Sequence, residues 1–265
     1  MTGRRWRTAF ASVVGTSHLK KGTPCQDAGA CRVITAADGS EVLLAVASDG
    51  AGTASRSDAG ALLAVEQFLR VFGDAGRADP TLGSIDRAFV DAWVAAFQEA
   101  VANLAANEDH GIRDYACTLL GAVVGPVAAA YVHIGDGAIV VATDDGGVYG
   151  WISWPQHGEY ANTTHFLTDE DAGRILVFVT GDTVDEIALF TDGIERLVLD
   201  LASGTVHSPA FRPIFEWLAR TEPENTGYPS TALVAYLGSD HVSRRTDDDK
   251  TLVMATRVAP AESGS

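Results

Sequence analysis

Two apolar runs, Val42 to Ala47 and Ile187 to Phe190, end in nearly the same way, the first in Ser48-Asp49-Gly50 and the second in Thr191-Asp192-Gly193. Each reads as a buried strand that stops at a hydroxyl residue, an aspartate and a glycine, so rigid backbone holds a carboxylate at the rim of a sheet. In Asp249-Lys250-Thr251 the order is reversed, and the acid precedes the apolar strand Leu252 to Ala255. Asp27, in Cys25-Gln26-Asp27, is a fourth acid of the same kind. Carboxylates fixed on strand ends, rather than imidazoles or paired thiolates, suit a hard divalent cation that takes oxygen ligands, which points to magnesium or manganese. Singly, a Ser/Thr-Asp-Gly after a strand is an ordinary turn. The joint occurrence of Asp49, Asp192 and Asp249 turns the reading toward a metal.

The elements that must position these acids can be read from apolar spacing. A strand is expected over Thr8 to Val14, then a polar turn, a strand from Ala28 to Ile34, and a hairpin at Asp38-Gly39 leading into Val42 to Ser48. Ser57 to Phe72 has helical spacing with Ser57 as N-cap, and a second helix follows from the stripe Ile85, Phe89, Trp93, Phe97, Val101 and Leu104. Four short strands come next: Thr118 to Val124, Val127 to Ile134, Ala138 to Ala142 and Val148 to Ile152. They are split by Gly125-Pro126, Gly135-Asp136-Gly137 and the turn at Asp144 to Gly147, a spacing that predicts hairpins. Residues 153 to 172, with Pro155, His157, Tyr160 and Asn162, form a long loop expected to border the site and select substrates. Further strands fit Ile175 to Thr180 and Ile187 to Thr191, and helices fit Pro213 to Leu218 and Thr231 to Leu237. Helices in two batches among β-meanders predict a layered α+β domain over residues 1–258, with residues 259–265 as a disordered tail.

Composition sets the class. With 265 residues, of which 46% are hydrophobic, the chain can bury a substantial core. A formal charge of −16 disfavours nucleic acid and anionic membrane as partners, and a phosphorylated partner would need cations to offset repulsion. Three cysteines without a CxxC pair suggest a reducing compartment. The N-terminal segment lacks an apolar signal core and no apolar run reaches membrane-spanning length, so a cytoplasmic protein is expected.

Gln26-Asp27, Ser48 to Gly52 (SDGAG), Gly135-Asp136-Gly137, Thr191-Asp192-Gly193 and Asp249-Lys250-Thr251 together resemble the metal-dependent protein phosphatases of the 2C type, in order over nearly the whole chain. The resemblance implies a four-layer α/β/β/α sandwich with two central antiparallel sheets. It also implies two Mn²⁺ or Mg²⁺ ions sharing a bridging water that hydrolyses phosphoserine and phosphothreonine in protein substrates. Carried over by position, Asp49 bridges both ions and the Gly50 carbonyl holds one. Asp192 and Asp249 hold the other, and Asp27 acts through water. A weaker third ion would fall to Asp114 with Asp192. Two cations lower the pKa of the shared water and neutralise phosphoryl charge during in-line attack, so no protein nucleophile is needed. This suits a chain with neither Gly-x-Ser-x-Gly nor Cys-x5-Arg. Two departures stand out. Ala51 occupies the place where many relatives carry a proton-donating histidine, leaving water or a loop residue such as His165 for that task. The arginine that grips phosphate is replaced by Lys20 or Lys21, point charges of lower geometric precision.

Other readings run beside this one. Asp136 is equally a support for the acidic cluster or a hairpin corner. Asp144, Asp145, Asp247 and Asp248 read as solvated loop charge, although Asp248 exchanges roles with Asp249 if the register shifts by one. His133 reads as a hydrogen-bonded core residue, Cys25 as a neighbour of the site, and Arg244-Arg245 as counter-charge. The segment Gly50 to Ser55 imitates a dinucleotide-binding turn, but the expected hairpins of residues 118 to 152 contradict a βαβ unit. With Ala51 and no arginine at the phosphate-gripping position, a catalytically weak domain that binds metal or phosphoprotein is the non-enzymatic alternative.

Overall fold

The computed structural model describes residues 4–142, 147–156, 164–170, 174–222 and 227–259. In chain order the elements are β1 (Arg5–Val13), α1 (Thr16–Lys21), β2 (Ala28–Thr35), β3 (Glu41–Ser48), α2 (Ser57–Ala78), α3 (Arg87–Glu108) and a 3-10 turn (Ile112–Tyr115). Next come β4 (Leu119–Val124), β5 (Ala129–Ile134), β6 (Ala138–Ala142), β7 (Tyr149–Ser153), β8 (Leu176–Thr180) and β9 (Glu186–Phe190). The chain closes with α4 (Asp192–Val198), β10 (Leu199–Asp200), β11 (Thr205–Val206), α5 (Ser208–Ala219), α6 (Tyr228–Leu237), α7 (Asp240–Ser243) and β12 (Lys250–Val258).

Two five-stranded antiparallel sheets, ordered β1-β12-β9-β6-β7 and β2-β3-β4-β5-β8, make the centre of an α+β fold. Alternation along the strands explains why they lie between other layers. In β3, Val42, Leu44 and Val46 pack with Phe68, Phe72 and Trp93 of α2 and α3. The intervening Leu43, Ala45 and Ala47 meet Ile187 and Leu189 of β9 and Val253 and Ala255 of β12 across the sandwich. The outward residues of those strands, Ala188, Phe190, Leu252 and Met254, pack with Phe211, Phe215 and Leu218 of α5 and Leu233 and Leu237 of α6. Three apolar interfaces therefore separate four layers, helices outside and sheets within. Burial on both faces is why β3 and β9 read as unbroken apolar runs rather than alternating ones.

Several boundaries differ from the sequence reading. Ser57 is the first residue of α2 rather than its cap, its hydroxyl donating to the Ala54 carbonyl (3.4 Å), and α2 runs on to Ala78. Asp86 caps α3, accepting from the Phe89 N–H at 2.8 Å, so Ile85 lies before the helix and packs in the core beneath it. The segment at Gly135-Asp136-Gly137 is not a hairpin. It carries the chain from β5 in one sheet to β6 in the other, because the two strands bury their side chains with different helical layers. The expected turn at Asp144 and Asp145, the loop residues His157, Tyr160 and Asn162, and residues 260–265 of the tail lie outside the described residues. Among the described residues, no helix is long and apolar enough to cross a membrane.

Candidate active site

The strand ends that carry the acids are tied together by backbone. The Asp49 N–H donates to the Thr118 hydroxyl (2.9 Å) and the Thr118 N–H returns a bond to the Asp49 carbonyl (2.8 Å). The Ser48 hydroxyl donates to the Thr118 carbonyl at 2.6 Å, and the Gly50 N–H to the Gln26 carbonyl at 3.1 Å. Only glycine fits at position 50, since a Cβ there would sit 2.6 Å from the Gln26 oxygen and 2.8 Å from Ser57. The second acidic end is bound to the third in the same way. The Thr191 N–H donates to the Thr251 carbonyl (3.2 Å), the Thr251 N–H to the Thr191 hydroxyl (3.0 Å), and that hydroxyl to the Asp27 carboxylate (2.7 Å). Asp192 then opens α4. A side chain at Gly193 would drive into the Asp249 carbonyl, so glycine lets these two segments touch.

These ends surround a cleft of about 180 Å³. Asp49, Asp136, Asp192 and Asp248 contribute to its wall, as do His18, the Gly50 to Thr53 turn, and Thr164 and Phe166 of the long loop. No lysine or arginine is among the described lining residues. Burial and mutual repulsion govern the acids' charge. Burial pushes Asp192 up to about 8, with Asp136, Asp248 and Asp27 adding repulsion. Asp49 is raised well above the carboxylate range by burial and by Asp27, Asp192 and Asp136. Asp27 is pushed to about 6 by burial, against the Thr191 hydroxyl that favours its charged form. A set of carboxylates that cannot all ionise unaided fits added positive charge, and oxygen-only donors select a hard ion. Among the described residues no three acidic, imidazole or thiol side chains close into a ready-made cage. Hydrated Mg²⁺ does not need one, because it keeps several waters and takes one or two carboxylates.

The remaining site expectations distribute unevenly. Asp249 lies beside the cleft but does not line it: it is only 3% exposed and accepts from the Gly15 N–H (2.6 Å), the Gln26 N–H (2.6 Å) and His18 Nδ1 (2.8 Å). Asp248 takes the place at the wall, with its Oδ1 accepting the Asp249 N–H at 2.9 Å and its carbonyl accepting from buried Lys250 at 3.1 Å. Asp114 also points elsewhere. Its oxygens accept from the Gly111 N–H (2.9 Å) and the Ser55 hydroxyl (3.0 Å), bonds that hold its carboxyl below the usual range. Lys20 and Lys21 are exposed in the last turn of α1 and are not part of the wall. His133 is the core residue expected: Nε2 donates to the Gly135 carbonyl (2.8 Å), and burial lowers its pKa to about 4. It thereby braces the segment that carries Asp136. Thr164 adds to that bracing, its hydroxyl donating to the Asp136 carboxylate at 2.7 Å. Cys25 lies close by and is held as a thiol, burial raising it to about 12.

Comparison with known proteins decides what this architecture belongs to. The family model described as protein phosphatase 2C matches residues 14–238, most of the chain. The chain belongs to the protein phosphatase 2C family. One phosphatase relative, serine/threonine-protein phosphatase 3 of Escherichia coli (strain K12), is 38% identical over 251 residues, covering 94% of this chain and 98% of that protein. Among solved structures, PppA of Pseudomonas aeruginosa superposes with a TM-score of 0.64 at 17% identity, covering 96% of this chain and 99% of that one. The catalytic domain of the phosphatase PstP in complex with two manganese ions gives 0.63 at 18%, covering 96% and 98%. At such identities these two structures speak for the phosphatase 2C fold alone.

His18 is the wall residue that the sequence reading missed. It sits in what looked like a polar turn, and its partner Asp249 is 231 positions away, so no local spacing could reveal the pair.

Proposed function

We propose that the chain hydrolyses phosphoserine and phosphothreonine monoesters in proteins with the help of Mn²⁺ or Mg²⁺. The observation that supports this best is the cleft itself, where four carboxylates face one small space with no lysine or arginine among the described lining residues. In this reading Asp49, the Gly50 carbonyl, Asp192 and Asp248 hold the cations, and Asp27, itself held by the Thr191 hydroxyl, supports Asp49 by direct contact between the two carboxyl groups. Asp248 is preferred to Asp249 because the latter's carboxylate is taken up by three donors within the protein. When bound, the ions supply charge compensation for the phosphoryl oxygens and activate water.

The chain's own part is positioning. Backbone ties at Thr118, Thr191 and Gln26 fix the acids on strand ends, which suits a loose transition state in which geometry and electrostatics do most of the work. Membership of the family and the likeness to serine/threonine-protein phosphatase 3 of Escherichia coli support protein serine/threonine phosphatase activity, and the two manganese ions of the PstP complex support divalent metal dependence. Phosphate release from a phosphothreonine peptide, measured with millimolar Mn²⁺ and with EDTA, tests the proposal. Turnover is expected only with the ion; no release with either Mn²⁺ or Mg²⁺ would overturn the reading.

A further inference from the structure

We propose that His18 donates the proton that the departing serine or threonine oxygen needs, and that Asp249 acts through it as a positioning residue. The inference rests on the phosphatase reading above and supplies the donor that Ala51 does not. His18 is 8% exposed and shares the cleft wall with Asp49, Asp192 and Asp248. Its Nδ1 lies 2.8 Å from Asp249 Oδ2. That carboxylate is itself immobilised by the Gly15 and Gln26 N–H groups, each at 2.6 Å. Helix α1 is further pinned to the 247–249 segment by the Ser17 N–H, which donates to the Asp247 carbonyl at 2.9 Å. The ring therefore has one orientation, with Nδ1–H turned to the carboxylate and Nε2 left for the cleft. Nε2 has no partner among the described residues.

The rest of the wall makes the assignment selective. His165, which the sequence offered as a donor, is not part of it, and neither are Lys20 and Lys21. Among the described lining residues that carry a proton, the aspartates would be taken up by the cation and the Thr53 and Thr164 hydroxyls are too weakly acidic, which leaves His18. In the step itself, water adds to phosphorus while the bond from phosphorus to the side-chain oxygen breaks. The bonding pair passes to that oxygen, which takes the Nε2 proton and leaves as the alcohol. The attacking water gives up one proton to solvent and His18 regains one from solvent, so the products are alcohol and inorganic phosphate.

Leaving-group dependence tests this. An aryl phosphate departs as a stabilised phenolate and needs little protonation, whereas an alkyl phosphate needs it strongly. His18→Ala should lower kcat on a phosphothreonine peptide about 10²-fold or more, the range of general acid catalysis. Activity on p-nitrophenyl phosphate should fall less than about tenfold, and added imidazole should recover part of the peptide activity. His18→Asn is the second variant: its amide can replace Nδ1–H toward Asp249 but offers no Nε2, so it should match the alanine variant in kcat while folding like the wild type. Mn²⁺ affinity by calorimetry should stay within about twofold for both variants, a margin well below the roughly 1.4 kcal/mol of a tenfold change. Equal losses on the two substrates, or loss of Mn²⁺ binding, would overturn the proposal. A wild-type protein that releases no phosphate at all fails the phosphatase reading instead.

Discussion

In the metal-free protein the charge on Asp192 should make stability fall as pH rises. Its folded-state pKa is raised from 3.8 to about 8. Between those values the folded chain holds a proton that the unfolded chain has released, so unfolding becomes easier with each step in pH. The favourable contribution is complete below the unfolded pKa and is lost as pH climbs through the folded one; the raised pKa of Asp27, about 6, acts in the lower part of the same window. At about 1.4 kcal/mol per pH unit, the span for Asp192 sets a ceiling of about 5 kcal/mol at pH 8. Asp192 retains some solvent contact, and screening there leaves about 2 to 3 kcal/mol.

Asp192→Asn removes the charge and keeps the shape. It gives up about 0.5 kcal/mol at the N-terminus of α4, where an acid suits the helix dipole, which is small beside the repulsion relieved. Thermal unfolding in EDTA at pH 5, 6.5 and 8 should therefore show the variant melting about 3 to 5 °C above the wild type at pH 8, and much closer to it at pH 5. Saturating Mn²⁺ should reverse the order, stabilising the wild type by mass action and the variant far less. If Asp192→Asn is no more stable than the wild type at pH 8 in EDTA, or if both curves have the same pH slope, the carboxylate is not carrying the strain assigned to it.

Neighbouring acids should separate by function. Asp248→Asn is expected to weaken Mn²⁺ binding about tenfold or more by calorimetry with little change in melting temperature, whereas Asp249→Asn should cost about 2 kcal/mol of stability because three donors lose a charged acceptor. Lys20→Ala and Lys21→Ala should change kcat/KM on p-nitrophenyl phosphate less than about twofold, in keeping with the small effect of surface charges outside a site; a tenfold loss would return one of these lysines to the phosphate.

The parts of the fold that could be read from the sequence are those decided by local pattern. Val42 to Ala47, Ile187 to Phe190 and Leu252 to Ala255 are buried on both faces, so their strands, and the aspartates that end or precede them, stood out as apolar runs against polar stops. The stripe from Phe89 to Leu104 marked α3 for the same reason. What was hidden depended on groups far apart in the chain. Whether Asp248 or Asp249 faces the cleft is set by Gly15, His18 and Gln26 closing on one carboxylate from the other end of the sequence. Three adjacent acids, Asp247 to Asp249, have the same local preferences, so nothing in their order separates them. The same holds for Gly135-Asp136-Gly137, which has the composition of a hairpin corner. Its role as a passage between sheets follows from β6 pairing with β9, a strand that begins only at Glu186. Helices α1 and α4, of 6 and 7 residues, are too short to show an apolar period. Their place is fixed by the buried acids they touch, α1 through the His18 bond to Asp249 and α4 through Gly193 pressed against the Asp249 carbonyl. Buried Asp249 thus links two short helices beside the cleft, which is why its loss should be felt in stability before it is felt in ion binding.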